Sequence, residues 1–179
     1  SDHYKTIVIK SALKGQTASI ENVKIILQAA GLMESDHYIT EVLTSLLKQQ
    51  NLTDEVISEM INTTKNIEWD HYRTVVLTQA LDKEGLSNTS YQRVIESAKE
   101  IESDHYVTQV IKNLMENKLT DGNLTLILDM ITSVESDHYR TEIIQSLLKR
   151  QDLTDSQFDK LINAATSMDS DHYKTVVLQ

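Results

Sequence analysis

A sixfold internal repeat is the feature that most constrains the fold of this chain. The tetrapeptide Ser-Asp-His-Tyr, with tryptophan for serine in the third copy, recurs at intervals of 34, 34, 34, 33 and 34 residues. Periods of about 20 to 50 residues are typical of stacked supersecondary units. We therefore predict a single array over 1–179, with repeats at 1–34, 35–68, 69–102, 103–135 and 136–169 and a partial repeat at 170–179.

The first half of each repeat has the pattern of a helix. In the second repeat the apolar residues begin at Tyr38 and recur at i, i+4, i+5, i+8 and i+9, which indicates a helix over about 35–48 rather than a strand. Ser35 or Asp36 is expected to cap the N-terminus of this helix. Its apolar arc covers about half its circumference, as required of a helix that contacts its own partner and both neighbouring repeats.

A second helix follows in each repeat after a short polar turn, which lies at 49–51 in the second repeat. Thr53 is the expected N-cap, because acidic residues follow it in the first turn, where the helix dipole favours them. The inner stripe of this helix is Ile57, Met60, Ile61, Thr64 and Ile67. The one-residue deletion in the fourth repeat falls at 117–119, in the predicted turn, where a deletion costs least.

These patterns predict an all-α fold with about eleven helices and no strand. The predicted architecture is a right-handed α-α superhelix, or solenoid, of five helix-pair repeats plus one terminal helix. Each repeat buries little surface alone, and so the stability is expected to come from the interfaces between repeats.

The motif Ser-Asp-His-Tyr-x-Thr-x-Val-Leu, which follows an acidic residue at each later copy, resembles the HEAT-like "Ser-Asp-Tyr-x-Lys" helical repeats of bacteria. The inserted histidine and the threonine in place of lysine depart from that pattern. Tetratricopeptide repeats share the 34-residue length, but their Trp-Leu-Gly-Tyr pattern is absent here. The resemblance covers the whole chain and implies a bacterial protein, with a location in the cell envelope or periplasm. The preceding acids are Glu34, Glu68, Glu102, Glu135 and Asp169.

The amino-acid composition argues against several classes of binding partner and excludes several kinds of site. The net charge of -10 and the pI near 5.0 argue against nucleic acid or anionic lipid as the main partner. The absence of cysteine excludes disulfides, thiolate metal sites and a cysteine nucleophile. No apolar run approaches the roughly 20 residues that span a bilayer, and so no membrane insertion of this segment is expected.

Three interpretations compete for the polar motif. Ser-Asp-His contains the residue types of a hydrolase triad, but consecutive helical residues point about 100° apart and cannot form the relay. Equivalent residues of neighbouring repeats lie about one helix pair apart, too far to converge on a metal ion. We therefore predict no catalytic, cofactor or metal site, and favour a structural ladder between repeats. Its residues are Asp36, His37, Tyr38, Thr40, Asp70, His71, Tyr72, Thr74, Asp104, His105, Tyr106, Thr108, Asp137, His138, Tyr139 and Thr141.

The ladder is expected to work through hydrogen bonds. A buried aspartate needs donors, which a threonine, a tyrosine or backbone amides of the next repeat can supply. His37 is expected to face the end of the preceding repeat's second helix, beside Glu34. Because the first repeat has no preceding neighbour, Asp2 is expected to contribute less to stability than Asp104.

Partner specificity is expected at outward positions, where the repeats differ. The candidate partner-facing residues are Ile25, Glu59, Trp69, Arg93 and Leu126. For Trp69, packing across a joint between repeats is the favoured alternative to an anchor for a partner.

The sequence thus predicts a non-catalytic protein–protein interaction or spacer scaffold, part of a longer bacterial protein. The alternative is a sensor or regulatory domain that responds to ligand or pH and is attached to a membrane peptidase or an anti-sigma-like protein.

Overall fold

The computed structural model describes residues 1–14, 18–50, 52–150 and 152–179. These residues form eleven α-helices and one 3-10 turn, with no strand, which confirms the predicted all-α fold and its five helix pairs plus one terminal helix. The first helices of the repeats are α1 (Asp2–Leu13), α3 (Asp36–Leu47), α5 (Asp70–Leu81), α7 (Asp104–Met115), α9 (Asp137–Leu148) and α11 (Asp171–Leu178). The second helices are α2 (Ile20–Gly31), α4 (Asp54–Thr63), α6 (Asn88–Ala98), α8 (Asp121–Ile131) and α10 (Asp155–Thr166), and the 3-10 turn Thr64–Asn66 follows α4.

The helices group into two compact units, Ser1–Ser97 and Ala98–Gln179. In the first unit α1 packs against α3, α3 against α5, and α2 against α4. In the second unit α7 packs against α9, α9 against α11, and α8 against α10. Within each unit, therefore, like helices stack on like helices, as expected for helix-pair repeats. The single array over 1–179 and its right-handed sense stay predictions.

Side-chain caps begin the second helices, as the sequence predicts. The Thr53 hydroxyl accepts a hydrogen bond from the backbone N–H of Val56, three residues into α4. Thr154 forms a reciprocal capping box with Gln157 at the start of α10. The predicted turn at 49–51 ends in Asn51, which lies outside the described residues. The deletion at 117–119 lies between α7 and α8, in an inter-helix turn as predicted.

The core of each unit consists of the apolar stripes of both helix types. The inner stripe predicted for α4 and the turn after it is buried throughout. Leu43 and Leu46 on α3 have no exposed surface, and neither have Ile111 and Leu114 on α7. None of the described helices is long and apolar enough to cross a membrane.

Candidate functional site: the repeat motif and the outward helix faces

The motif aspartate bonds to the backbone at the junction with the following repeat. Oδ2 of Asp36 accepts hydrogen bonds from the backbone N–H groups of Glu68 at 3.0 Å and Trp69 at 2.7 Å. Both amides lie just before the first turn of α5, where no carbonyl of that helix accepts them. We call this arrangement the aspartate clamp. It recurs in Asp2 with Glu34 and Ser35, in Asp104 with Glu135 and Ser136, and in Asp137 with Asp169 and Ser170.

The clamp corrects two expectations about the motif. Ser35 occupies the N-cap position of α3 but makes no side-chain cap bond, and the hydrogen bonds described for the Asp36 carboxylate come from the amides just before α5. The clamp bonds run forward along the chain, as expected for donors of the next repeat, and Asp2 accepts them like the others. The lack of a preceding repeat is therefore no reason for Asp2 to contribute less to stability than Asp104. The side chain of Asp171, the last motif aspartate of the sequence, is 99% exposed.

The clamp also affects the ionisation of the carboxyl group. The backbone N–H of Glu34 is the largest influence on the Asp2 carboxyl and lowers its pKa, with further lowering by Lys5. These donors outweigh desolvation, which acts in the opposite direction. At Asp2 the hydrogen-bonded joint therefore favours the ionised carboxylate.

The motif threonine packs in the core. It is buried in each of the first five repeats, at Thr6, Thr40, Thr74, Thr108 and Thr141. The first four of these hydroxyls have no hydrogen-bond partner among the described residues, and Thr141 faces the sulfur of Met168 at 3.8 Å. The expectation that backbone amides donate to the motif aspartate is therefore confirmed. The expectation that the threonine hydroxyl donates to it is wrong at these positions. The physical reason is burial, since the clamp lies at the partly exposed rim of the joint.

Imidazole and phenol rings alternate along the motif in each unit. We call these rings the His-Tyr row. In the first unit it consists of His3, Tyr4, His37, Tyr38, His71 and Tyr72, and in the second of His105, Tyr106, His138, Tyr139, His172 and Tyr173. Neighbouring rings within a unit lie 5.0–6.0 Å apart between centroids, in edge-on or tilted contacts.

The row contacts the following repeat, contrary to the expectation for His37. The His37 ring lies 6.0 Å from the Tyr72 ring, whereas the sequence placed it beside the preceding repeat. The Tyr38 hydroxyl lies 3.2 Å from Nδ1 of His3, and the same pairing joins Tyr139 to His105 at 3.4 Å. All six imidazoles are exposed, while the tyrosines after the first are half-buried. In the motif the histidine rings thus face the solvent, and the half-buried tyrosine rings pack beside them.

An arginine after the motif tyrosine was not singled out from the sequence. Nε and Nη2 of Arg73 donate to the carbonyl oxygen of Ile67 at 3.1 and 2.6 Å. Arg140 does the same to Val134 in the second unit, at 3.2 and 2.6 Å. Each arginine binds a carbonyl left free after the preceding second helix. The one sequence signal for this role was that arginine occupies the same motif position in two repeats.

The second helices carry most of the candidate partner-facing residues. Ile25 on α2 is 59% exposed, and Leu126 on α8 is half-buried. Glu59 on α4 pairs with Arg93 on α6 at 3.1 Å, so that these two outward residues are linked to each other. Shallow grooves of about 400 Å³ and 440 Å³ lie between α2 and α4 and between α8 and α10. Ion pairs cross the grooves, from Lys24 to Glu55 at 3.1 Å and from Lys160 to Asp129 at 2.6 Å.

Asp54, at the start of α4, makes a further inter-repeat bond that the sequence did not reveal. Its Oδ1 accepts from the Ser87 backbone N–H at 2.9 Å and from the Ser90 hydroxyl at 2.6 Å. Desolvation alone would raise the pKa of Asp54, but the bonds from Ser90 and Ser87 outweigh it, and the pKa lies below its ordinary value. The second helices of these two repeats are therefore joined by a carboxylate as well.

Trp69 lies on the surface. Its side chain is 70% exposed, and its backbone amide is held by Asp36. The expectation that Trp69 packs across a joint between repeats is therefore wrong. The reason is its N-cap position, where the motif elsewhere has serine and where the backbone rather than the side chain makes the joint.

The described residues contain no group of three or more histidine, aspartate or glutamate side chains placed to hold a metal ion. No family model, curated protein or solved structure matches this chain.

Proposed function

We propose that this chain is a non-catalytic protein-interaction or spacer scaffold, a helical-repeat array of the HEAT-like kind from a longer bacterial protein. The observation that carries this proposal is the aspartate clamp. Because the aspartate and threonine of the motif are occupied in joining and packing repeats, the motif has a structural task at every described clamp.

The outward faces support an interaction role. They change from repeat to repeat, from Ile25 to Glu59 to Arg93 at one equivalent position, whereas the inner positions keep their apolar character. A surface that varies on a constant frame is the arrangement by which repeat proteins distinguish partners. The shallow grooves fit an extended protein surface better than a small molecule, which is usually largely enclosed.

Partner capture by second-helix variants tests the interaction role. Ile25→Glu combined with Leu126→Glu changes two outward apolar residues, and Asp171→Ala is the matched control at an exposed position. We expect the double variant to lose capture of proteins that the wild-type array retains from a bacterial lysate, at unchanged melting temperature, while the control retains them. Equal capture by all three proteins would contradict binding through this face and favour a spacer.

One observation favours the regulatory alternative. All six histidines lie in the motif, and His138 lies 3.2 Å from Glu142, which also binds Lys112 at 2.9 Å. A pH-responsive array predicts that capture changes between about pH 7.5 and 5.5. It also predicts that His138→Gln reduces the change; an unchanged response would contradict this role for His138.

A further inference from the structure

The His-Tyr row is an exposed surface that joining the repeats does not explain. The clamp makes its hydrogen bonds through Asp36 and backbone amides, so that the exposed His37 ring is not needed for them. Tyrosine is enriched at surfaces that bind proteins, because its ring offers an apolar face and a polar edge together. The exposed imidazoles lie directly beside these tyrosine rings. The row is therefore a candidate binding surface for a ligand whose own structural period matches the spacing of the rings.

The ring spacing matches the period of an extended polyproline II ligand better than that of a β-strand. Steps of 5.1 Å from Tyr38 to His37 and 6.0 Å from His37 to Tyr72 put successive phenols at most about 11 Å apart, close to the 8–10 Å at which helices pack. A polyproline II helix turns once in three residues, about 9.3 Å, and presents the same edge at each turn. A β-strand presents the same face about every 6.7 Å, which falls out of step with the rings after one repeat.

Charge beside the row selects a basic ligand. Glu34 and Glu68 immediately precede the motif, their backbone amides are held in clamps by Asp2 and Asp36, and their side chains are exposed. The second unit has Glu135 and Asp169 in the same places.

The arginines of the motif do not cancel this negative charge at the surface. Arg73 and Arg140 direct their guanidinium groups onto the carbonyls of Ile67 and Val134. Each unit therefore presents acidic groups at the same one-repeat spacing as its rings, on a chain of net charge -10.

We infer that the His-Tyr row of each unit binds an extended, proline-rich basic polypeptide segment, with one turn of polyproline II per repeat. Proline rings contact the imidazole and phenol faces, and an arginine or lysine at every third position meets the acid before each motif. The free carbonyls of polyproline II accept hydrogen bonds from ring N–H and O–H groups. This inference rests on the proposed interaction function, because it names the class of partner.

Three labelled nonapeptides test the inference by fluorescence anisotropy on the full chain. The first, (Pro-Pro-Arg)3, has both the conformation and the charge period. The second, (Gly-Ser-Arg)3, keeps the charge period without polyproline II, and the third groups three arginines before six prolines. We expect the first peptide to bind at least about fivefold more tightly than either control. Equal affinities would show attraction by charge alone and overturn the inference.

Paired variants locate the binding surface. Glu34→Gln with Glu68→Gln removes two acids beside the row, and Glu21→Gln with Glu84→Gln removes two exposed acids near the opposite helix ends. We expect the first pair to weaken (Pro-Pro-Arg)3 binding about two- to fivefold per acid, as for exposed charge pairs, and the second pair to change it little. Equal losses would overturn the inference.

Failure of this inference is distinguishable from failure of the proposed function. Equal peptide affinities combined with a loss of protein capture in Ile25→Glu/Leu126→Glu would reject the row and keep the scaffold. His37→Ser provides a second measure of the row, since the ring is exposed and its removal is expected to leave the melting temperature unchanged. Undiminished peptide binding by His37→Ser would also count against the row.

Discussion

Oδ2 of Asp36 lies 2.7 Å from the backbone nitrogen of Trp69 in the following repeat. The bond joins a side chain in the first turn of one helix to an amide just before the next first helix. Since the donor is a backbone N–H, the joint tolerates any residue except proline at position 69, including tryptophan in place of serine. The backbone amide at this position therefore joins the repeats, while the side chain at the same position is free to vary at the surface.

Replacing a motif aspartate is expected to cost stability only where its carboxylate accepts clamp bonds. Asp36→Ala leaves two amides without their acceptor and is expected to lower the free energy of unfolding by about 1–2 kcal/mol. Asp171→Ala, at the motif position with an exposed carboxylate, is expected to change it by less than about 0.5 kcal/mol. Urea denaturation of both variants measures the difference, and equal losses would argue against the clamp.

Acid is expected to destabilise the chain through two carboxylates that join repeats, Asp2 in a clamp and Asp54 at the start of α4. The pKa values of Asp2 and Asp54 are lowered from 3.8 in the folded chain. A depressed folded pKa gives stability that is present above the unfolded value and is lost as pH falls through the folded one.

Urea midpoints should therefore fall between about pH 5 and pH 3. Asp54→Asn, which cannot ionise, should reduce that fall and provides the control. A midpoint independent of pH in this range would contradict the assignment.

The exposed Trp69 indole is expected to be dispensable for folding. Trp69→Ser restores the serine of the other motifs and keeps the backbone amide, so the free energy of unfolding should change by less than about 0.5 kcal/mol. Iodide should quench the fluorescence of native Trp69 nearly as well as that of the unfolded chain. Strong protection from iodide would mean that the indole is buried.

Arg73 is expected to stabilise the chain more than the equivalent lysine of the first repeat. Arg73→Met leaves the Ile67 carbonyl without two donors, which should cost about 1–3 kcal/mol. Lys5→Met removes only an exposed pair with Asp2, which is worth less than about 1 kcal/mol. Thermal unfolding distinguishes the two variants, and an equal shift in both would show that the carbonyl bonds contribute nothing.

The sequence was sufficient for the helices because apolar periodicity and threonine caps are local signals. Ile57 and Met60 are buried and Thr53 caps α4, all as the pattern predicts. The side-chain contacts between repeats were harder to predict from the sequence. A helical wheel places a side chain around its own axis but does not say which neighbour it meets.

For that reason the contact of His37 with Tyr72 was not predicted correctly. The role of Arg73 was missed because its acceptor is a backbone carbonyl, which has no side-chain signature. The exposure of Trp69 also depends on the rim of the joint, which no single-helix pattern describes.

Amide hydrogen exchange tests the aspartate clamp most directly. The Trp69 and Ser136 amides precede their helices and have carboxylate acceptors, Asp36 and Asp104, in the preceding repeat. We predict that both exchange slowly in the wild-type chain, and that Asp36→Ala accelerates exchange at Trp69 while leaving Ser136 protected. Fast exchange of both amides in the wild-type chain, or an unchanged rate at Trp69 in the variant, would contradict the clamp.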